Sequence, residues 1–222
     1  MVRYRNALAF VVLLVSFVAV GAEPNICDPN TKPDLRVCLK AAYQKRDSEL
    51  NEVYKKLIPL LSARTRKALQ DSSISWIRAK EADCKTSSPS GDQEFYACLL
   101  RSTDERLRFL TKLLGRVRDA DIAGYYSDES NGSVTIIQVG PNEYLFEMRV
   151  VRGPTFHTGQ YNGVFRRTGN SIKYRWSTSD PMVMKCDLNF TIEPGALQVE
   201  EVDCSGFHGA RAYFDGTYFK IE

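Results

Sequence analysis

The placement of six cysteines, at 27, 38, 84, 98, 186 and 204, is what most narrows the folds open to this 222-residue chain. Residues 3–22 carry Arg3 and Arg5, an apolar run from Ala7 to Val20 and then the small residues Gly21 and Ala22. That order is an export leader, and it implies an oxidising destination, periplasmic or secreted. An even cysteine number in an exported chain reads as three disulfides rather than a metal site or reactive thiols. Four cysteines fall in the first half and two in the second; the simplest pairing keeps each half to itself, and of the three ways to join the first four, Cys27–Cys38 and Cys84–Cys98 are expected beside Cys186–Cys204. A half of about 100 residues has a small core and gains from a staple. The expected division is a signal peptide over 1–22, a mature start at Glu23, a helical domain over 23–120 and a β domain over 121–222.

In the front half, Pro24 to Lys32 is an irregular lead-in and Pro33 suits the first turn of a helix. Leu39, Tyr43, Leu50, Val53, Tyr54, Leu57 and Leu61 recur at helical spacing, and Pro59 interrupts them. Ser62 can cap a second helix whose inner face reads Leu69, Ser73, Trp76, Ile77, Lys80 and Cys84. Asp92 can cap a third, with Phe95, Leu99, Leu107, Leu110 and Leu114 inward and Gly115 as its stop. The Ser/Pro/Gly loop between Lys85 and Asp92 closes a helical hairpin stapled by Cys84 and Cys98. Trp76 reads as the buried anchor of this half, and Lys80 and Glu81 as solvated helix-surface charges.

From Gly124 the period changes to two. Tyr144, Phe146, Met148 and Val150 alternate with polar or outward residues, as do Ile172, Tyr174 and Trp176, and Cys186, Leu188, Phe190 and Ile192. Pro141-Asn142, Gly169-Asn170 and Pro194-Gly195 supply turns. Cys186 and Cys204 each stand nine residues from Gly195, which sets them nearly opposite in a hairpin centred there. Seven or eight short strands imply a small antiparallel barrel or sandwich. The fold class is therefore α+β, a disulfide-stapled three-helix domain followed by that β domain. Its aromatic interior reads as a filled core, with a cavity for a small apolar ligand as the alternative.

Residues 23–120 hold 19 Lys and Arg against 14 Asp and Glu, net +5, and residues 121–222 hold 9 against 13, net −4. Such modest basicity in an exported chain argues against a nucleic-acid partner. The leader is too short for a good membrane span and Cys27 lacks a lipid-attachment context, so no stable membrane anchor is expected. The two histidines, His157 and His208, sit in Gly-rich loops outside any catalytic or zinc-spaced motif. No catalytic residue, metal or cofactor is expected, and the chain reads as a binding protein. One loop has the residues a polar cleft would accept: Ser205, Gly206, Phe207, His208 and Arg211 combine an aromatic, an imidazole and a guanidinium on a backbone tied down by Cys204. The plain reading of the same loop is a barrel turn in which glycines supply positive φ.

The front half resembles the LprI-like lysozyme inhibitor family, whose pattern is four cysteines on a small helical unit with a Trp-x-x-x-Arg-Asp-x-x-Cys core, a last Cys and a Thr-x-x-Arg. Here the pattern falls on Trp76, Lys80, Glu81 and Cys84, then Cys98, Thr103 and Arg106, with Leu50 and Tyr54 upstream. Lys replaces Arg, Glu replaces Asp, and Ser73 stands where the family usually has Gln. The resemblance covers about residues 27–114 and implies a partner, lysozyme or a related cell-wall glycosidase. The β half is loosely similar to the barrels of c-type lysozyme inhibitors, and Ser205-Gly206 is similar to the start of an inhibitory loop in another such family, with Gly209 where that loop has tyrosine. The expected function is occlusion of a glycosidase cleft, the loop acting as the inhibitory element and Trp76 as structure. The alternatives are an immunity-type or envelope module against another toxin or cell-wall enzyme, a carrier of a small apolar ligand and, as a third class, an enzyme.

Overall fold

The computed structural model describes residues 27, 34–87, 92–153, 155–176 and 185–222. The expected leader over 1–22, the start at Glu23, the lead-in to Lys32 apart from Cys27, Pro33 and the loop at 88–91 lie outside the described residues.

Three helices form the front half: α1 (Leu35–Leu57), α2 (Ala63–Ser87) and α3 (Asp92–Arg116). Asp34 caps α1, its carboxylate accepting from the Val37 amide at 3.2 Å. Pro59 ends α1 by forcing the chain through a 3-10 turn over Ile58–Leu60, after which Leu61 is extended. Ser62 caps α2, taking the Thr65 amide at 3.1 Å. Asp92 is the first residue of α3 rather than the one before it, and with Glu94 it sets two carboxylates against the positive end of the helix dipole. Gly115 does not stop α3, which runs on to Arg116. Disulfides Cys27–Cys38 and Cys84–Cys98 staple this half.

Leu50, Leu57, Leu69, Leu110 and Leu113 form the helical core. Each such leucine, removed from water, contributes about 2 kcal/mol. Helices α1 and α2 both pack on α3 and scarcely approach each other. Ile77, expected on the inner face, is 46% exposed, and Ile74 is 48% exposed. The middle of α2 therefore faces open space, not a third helix.

The second half is one eight-stranded antiparallel sheet of β1 (Gly124–Ser127), β2 (Gly132–Gly140), β3 (Glu143–Arg152), β4 (His157–Arg166), β5 (Ser171–Tyr174), β6 (Asp187–Glu193), β7 (Ala196–Val202) and β8 (Gly216–Lys220). Its order is β4-β3-β2-β1-β8-β7-β6-β5, two four-stranded meanders joined where β1 pairs with β8. The outer strands curl toward each other, and the Tyr174 ring lies over Gly163 where no Cβ would fit. The result is a nearly closed barrel.

Its interior is filled by side chains. The Phe146 ring stands 5.0 Å from Tyr174 and 5.2 Å from Phe190, both edge-on, with Tyr161 and Phe165 each at 6.1 Å. Tyr161 donates its hydroxyl to the Cys186 carbonyl at 2.8 Å, so the polar atom carried inward is satisfied. Trp176, expected inside, lies past the end of β5 and is 37% exposed, its ring tilted against Tyr161 and Phe207 at 6.3 Å from each. The Cys186–Cys204 bridge fastens the start of β6 to the chain after β7.

The helices rest on one end of this barrel. Leu113 and Val117 press on Ala196 and Phe219, and the Phe109 ring meets Phe219 edge-on at 5.8 Å. Gly195 makes the tight β6–β7 turn at φ +69°, and an added Cβ there would stand 3.1 Å from Leu113 and 3.2 Å from Val117. The Ser62 and Thr65 hydroxyls both donate to Glu193 across the same seam.

Candidate functional site: a cleft walled by α1 and α2

Because α1 and α2 diverge over α3, an open cleft of about 700 Å³ runs between them. One face of α1 forms the first wall, with Tyr43, Asp47, Asn51 and Tyr54 one turn or two apart. The opposite wall comes from α2 through Gln70, Ile74, Trp76, Ile77 and Lys80. Arg106 and Leu110 of α3 make the floor. Apolar and aromatic lining with a few convergent polar groups is the usual make-up of a ligand site.

Lys80 is the unusual member. Its side chain is only 5% exposed, although it was expected to be a solvated surface charge. The ammonium lies 4.3 Å over the Trp76 ring and 5.2 Å from the Tyr43 ring, so cation–π attraction replaces part of its lost hydration. Its polar neighbours are distant, Tyr43 Oη at 3.5 Å and Asp47 Oδ1 at 3.9 Å. Burial pushes the Lys80 pKa down, and Asp47 and Glu81 pull it partly back. Glu81 itself is exposed at the rim.

Arg106 underlies both Trp76 and a second cavity, also of about 700 Å³, between α2 and the barrel. It is 4% exposed and pairs with Glu129 in the β1–β2 turn, a residue held at φ +61°. Arg106 also donates to Ser73 Oγ at 2.9 Å, and Ser72 Oγ donates to Glu129 at 2.5 Å. Burial draws the guanidinium down to about 10. Beside it Arg152 pairs with Asp128. These contacts make Arg106 a link between the halves, while Thr103, fully buried one turn earlier, packs the helical core.

Trp76 is half-buried and lines both cavities, so it is a wall as well as an anchor. Asp47, Asn51 and Gln70 carry the site without having been singled out in the sequence, and Tyr43 was read only as part of the apolar helical pattern of α1. Their signal was present: Tyr43, Asp47, Asn51 and Tyr54 repeat at i, i+4, i+8 and i+11, and Ile74 and Ile77 stand in a helix otherwise polar on that side.

The loop from Ser205 to Arg211 is organised from within. His208 points inward, its side chain 3% exposed, with Nε2 at 3.0 Å from Glu201 Oε1, while Glu201 Oε2 accepts from the Phe214 amide at 2.7 Å. Phe207 packs on Tyr161 at 4.7 Å between ring centres. Ser205, Gly206 and Arg211 are exposed. The loop thus offers a short surface stiffened by an aromatic and an imidazole that it keeps for itself.

Among the described residues, no cluster of three or more His, Cys, Asp or Glu is arranged to hold a metal ion, and no helix is long and apolar enough to cross a membrane. No curated protein and no solved structure matches the chain. Residues 27–110, the stretch that supplies both walls and the floor of the cleft, match the family model described as lysozyme inhibitor LprI.

Proposed function

We propose that this protein is an exported, non-catalytic binding protein that inhibits a lysozyme-type glycosidase, with the helical half as the part that engages it. The observation that carries the reading is the coincidence of the LprI match, residues 27–110, with the cleft between α1 and α2. The exposed Ile74 and Ile77 on its rim supply apolar area for a protein contact, and the exposed Arg78 lies beside them on α2. A glycosidase cleft is lined by catalytic carboxylates, to which cations and hydrogen-bond donors are complementary, and covering it blocks substrate without any turnover. The exposed Ser205, Gly206 and Arg211 on the barrel form a second patch that would reach the same partner.

Lysis of bacterial cell walls by a c-type lysozyme, measured against increasing full-length oxidised protein, tests this. The parent should inhibit stoichiometrically and stay intact. Ile74→Asp with Ile77→Asp, both on the exposed rim, should raise the inhibition constant by tenfold or more, and Arg211→Ala by less. A folded parent that leaves lysis unchanged refutes the proposal. An Arg211→Ala effect larger than that of the rim pair would move the main contact to the barrel loop.

A further inference from the structure

We propose that the cleft between α1 and α2 is itself a saccharide site, shaped for a short chain of neutral or N-acetylated pyranoses. A pyranose presents a flat C–H face and a rim of hydroxyls, each both donor and acceptor. A receptor for it needs aromatic walls, donors and acceptors in mixture, and little net charge. The cleft has the Trp76, Tyr43 and Tyr54 rings, the Asn51 and Gln70 amides, and Asp47 as an acceptor.

The charge balance decides between ligand classes. Lys67 is tied to Asp71 at 2.5 Å, and Arg106 is held by Glu129. What remains is Lys80 facing Asp47 and Glu81, so an anion gains no net attraction. A purely apolar ligand would leave these groups stripped of water and unpaired, which is costly. A hydroxylated, uncharged ring satisfies both conditions, and the cleft volume of about 700 Å³ lies inside the range of roughly 300–1,000 Å³ typical of small-ligand sites.

Lys80 supplies the sharpest argument. A buried ammonium has three donors, and here the nearest oxygens stand at 3.5 and 3.9 Å, beyond a good hydrogen bond. A sugar hydroxyl or an acetamide carbonyl lying beside Lys80 would bring a closer acceptor than either. The Trp76 ring is already fixed in place, with Lys80 4.3 Å over its face and Arg106 5.7 Å from its centre, so little ordering of this wall is left for binding to supply.

The test uses the full-length oxidised chain carrying Trp176→Phe, which leaves Trp76 as the only tryptophan. It is titrated, without lysozyme, with the β-1,4-linked trisaccharides of N-acetylglucosamine and of glucose, following tryptophan fluorescence and calorimetry. A saturable change with either sugar is expected. Asn51→Ala and Gln70→Ala, both at exposed positions, should each weaken it by about tenfold with an unchanged circular dichroism spectrum. No saturable change with either trisaccharide overturns the proposal, and so does binding that both variants leave intact. The inference rests on the cleft alone, so its failure leaves the inhibition assay standing, and loss of inhibition leaves sugar binding to be judged by itself.

Discussion

Two buried cations in the helical half illustrate how much a single side chain's surroundings decide. Arg106 is paired, and Glu129→Gln should leave its guanidinium buried without a counter-charge. That loss costs about 3 kcal/mol, read from urea unfolding, and should persist at high salt because the pair is shielded from solvent. Lys80 is poorly paired, and the sign of its effect is opposite. Its pKa in the folded chain lies below the ordinary 10.5 because burial penalises the charged form. Between the folded value and 10.5 the unfolded chain binds more protons than the folded one, so the penalty is complete at neutral pH and is relieved as pH climbs through that window. Lys80→Met should therefore be within about 1 kcal/mol of the parent or more stable at neutral pH. The parent should gain on the variant as pH approaches 10.5. A variant that loses several kcal/mol at neutral pH would show that Lys80 is a structural ion pair.

At the level of elements, α2 is held at its two ends. Thr65 and Leu69 are fully buried near its start, Cys84 is bonded to Cys98 near its finish, and between them Ile74 and Ile77 face solvent. Replacing Cys84 and Cys98 together by Ser should cost about 3 kcal/mol of stability. Hydrogen exchange should quicken first in the second half of α2, with the barrel strands unaffected; uniform quickening across α1 would mean that the bridge closes the helical core and not α2 alone. Three helices at helical spacing, the strand alternation of β3 and β6, and the turn at Pro194-Gly195 were all legible in the sequence, because periodicity and turn chemistry are local. The cleft was not. Helical spacing puts Ser73, Trp76, Ile77 and Lys80 on one side of α2 but says nothing of whether that side meets another helix, and the divergence of α1 from α2 is set by how each lies on α3. For the same reason the sequence marks His208 as polar and leaves unread the Glu201 carboxylate that holds it, since the two side chains meet only once the chain after β7 has folded back and bridged to Gly159 of β4.

The two halves, although each has its own staples, share a seam that the cysteine positions do not reveal. Phe219 of β8 is 2% exposed and belongs to the helical cluster with Leu110, Leu113 and Val117, so part of the helical core is supplied by the barrel. Around it stand the Ser62 and Thr65 hydroxyls on Glu193, the Lys220 ammonium on the Asp121 carbonyl at 2.6 Å, and Arg106 on Glu129. A helical fragment of residues 23–120 would expose that leucine face, and a barrel fragment would expose Phe219. We therefore expect the helical fragment to be the weaker of the two, since the barrel keeps its own aromatic interior and disulfide. Phe219→Ala makes the same point within the whole chain. Removing a buried phenylalanine costs about 3–5 kcal/mol, and here the loss falls on the seam, not on either interior. The parent should melt in one calorimetric transition, and the variant should separate into an early helical and a later β transition, followed by far-ultraviolet circular dichroism. A variant that still melts in one step, displaced to lower temperature, would show that the remaining polar contacts suffice to couple the halves.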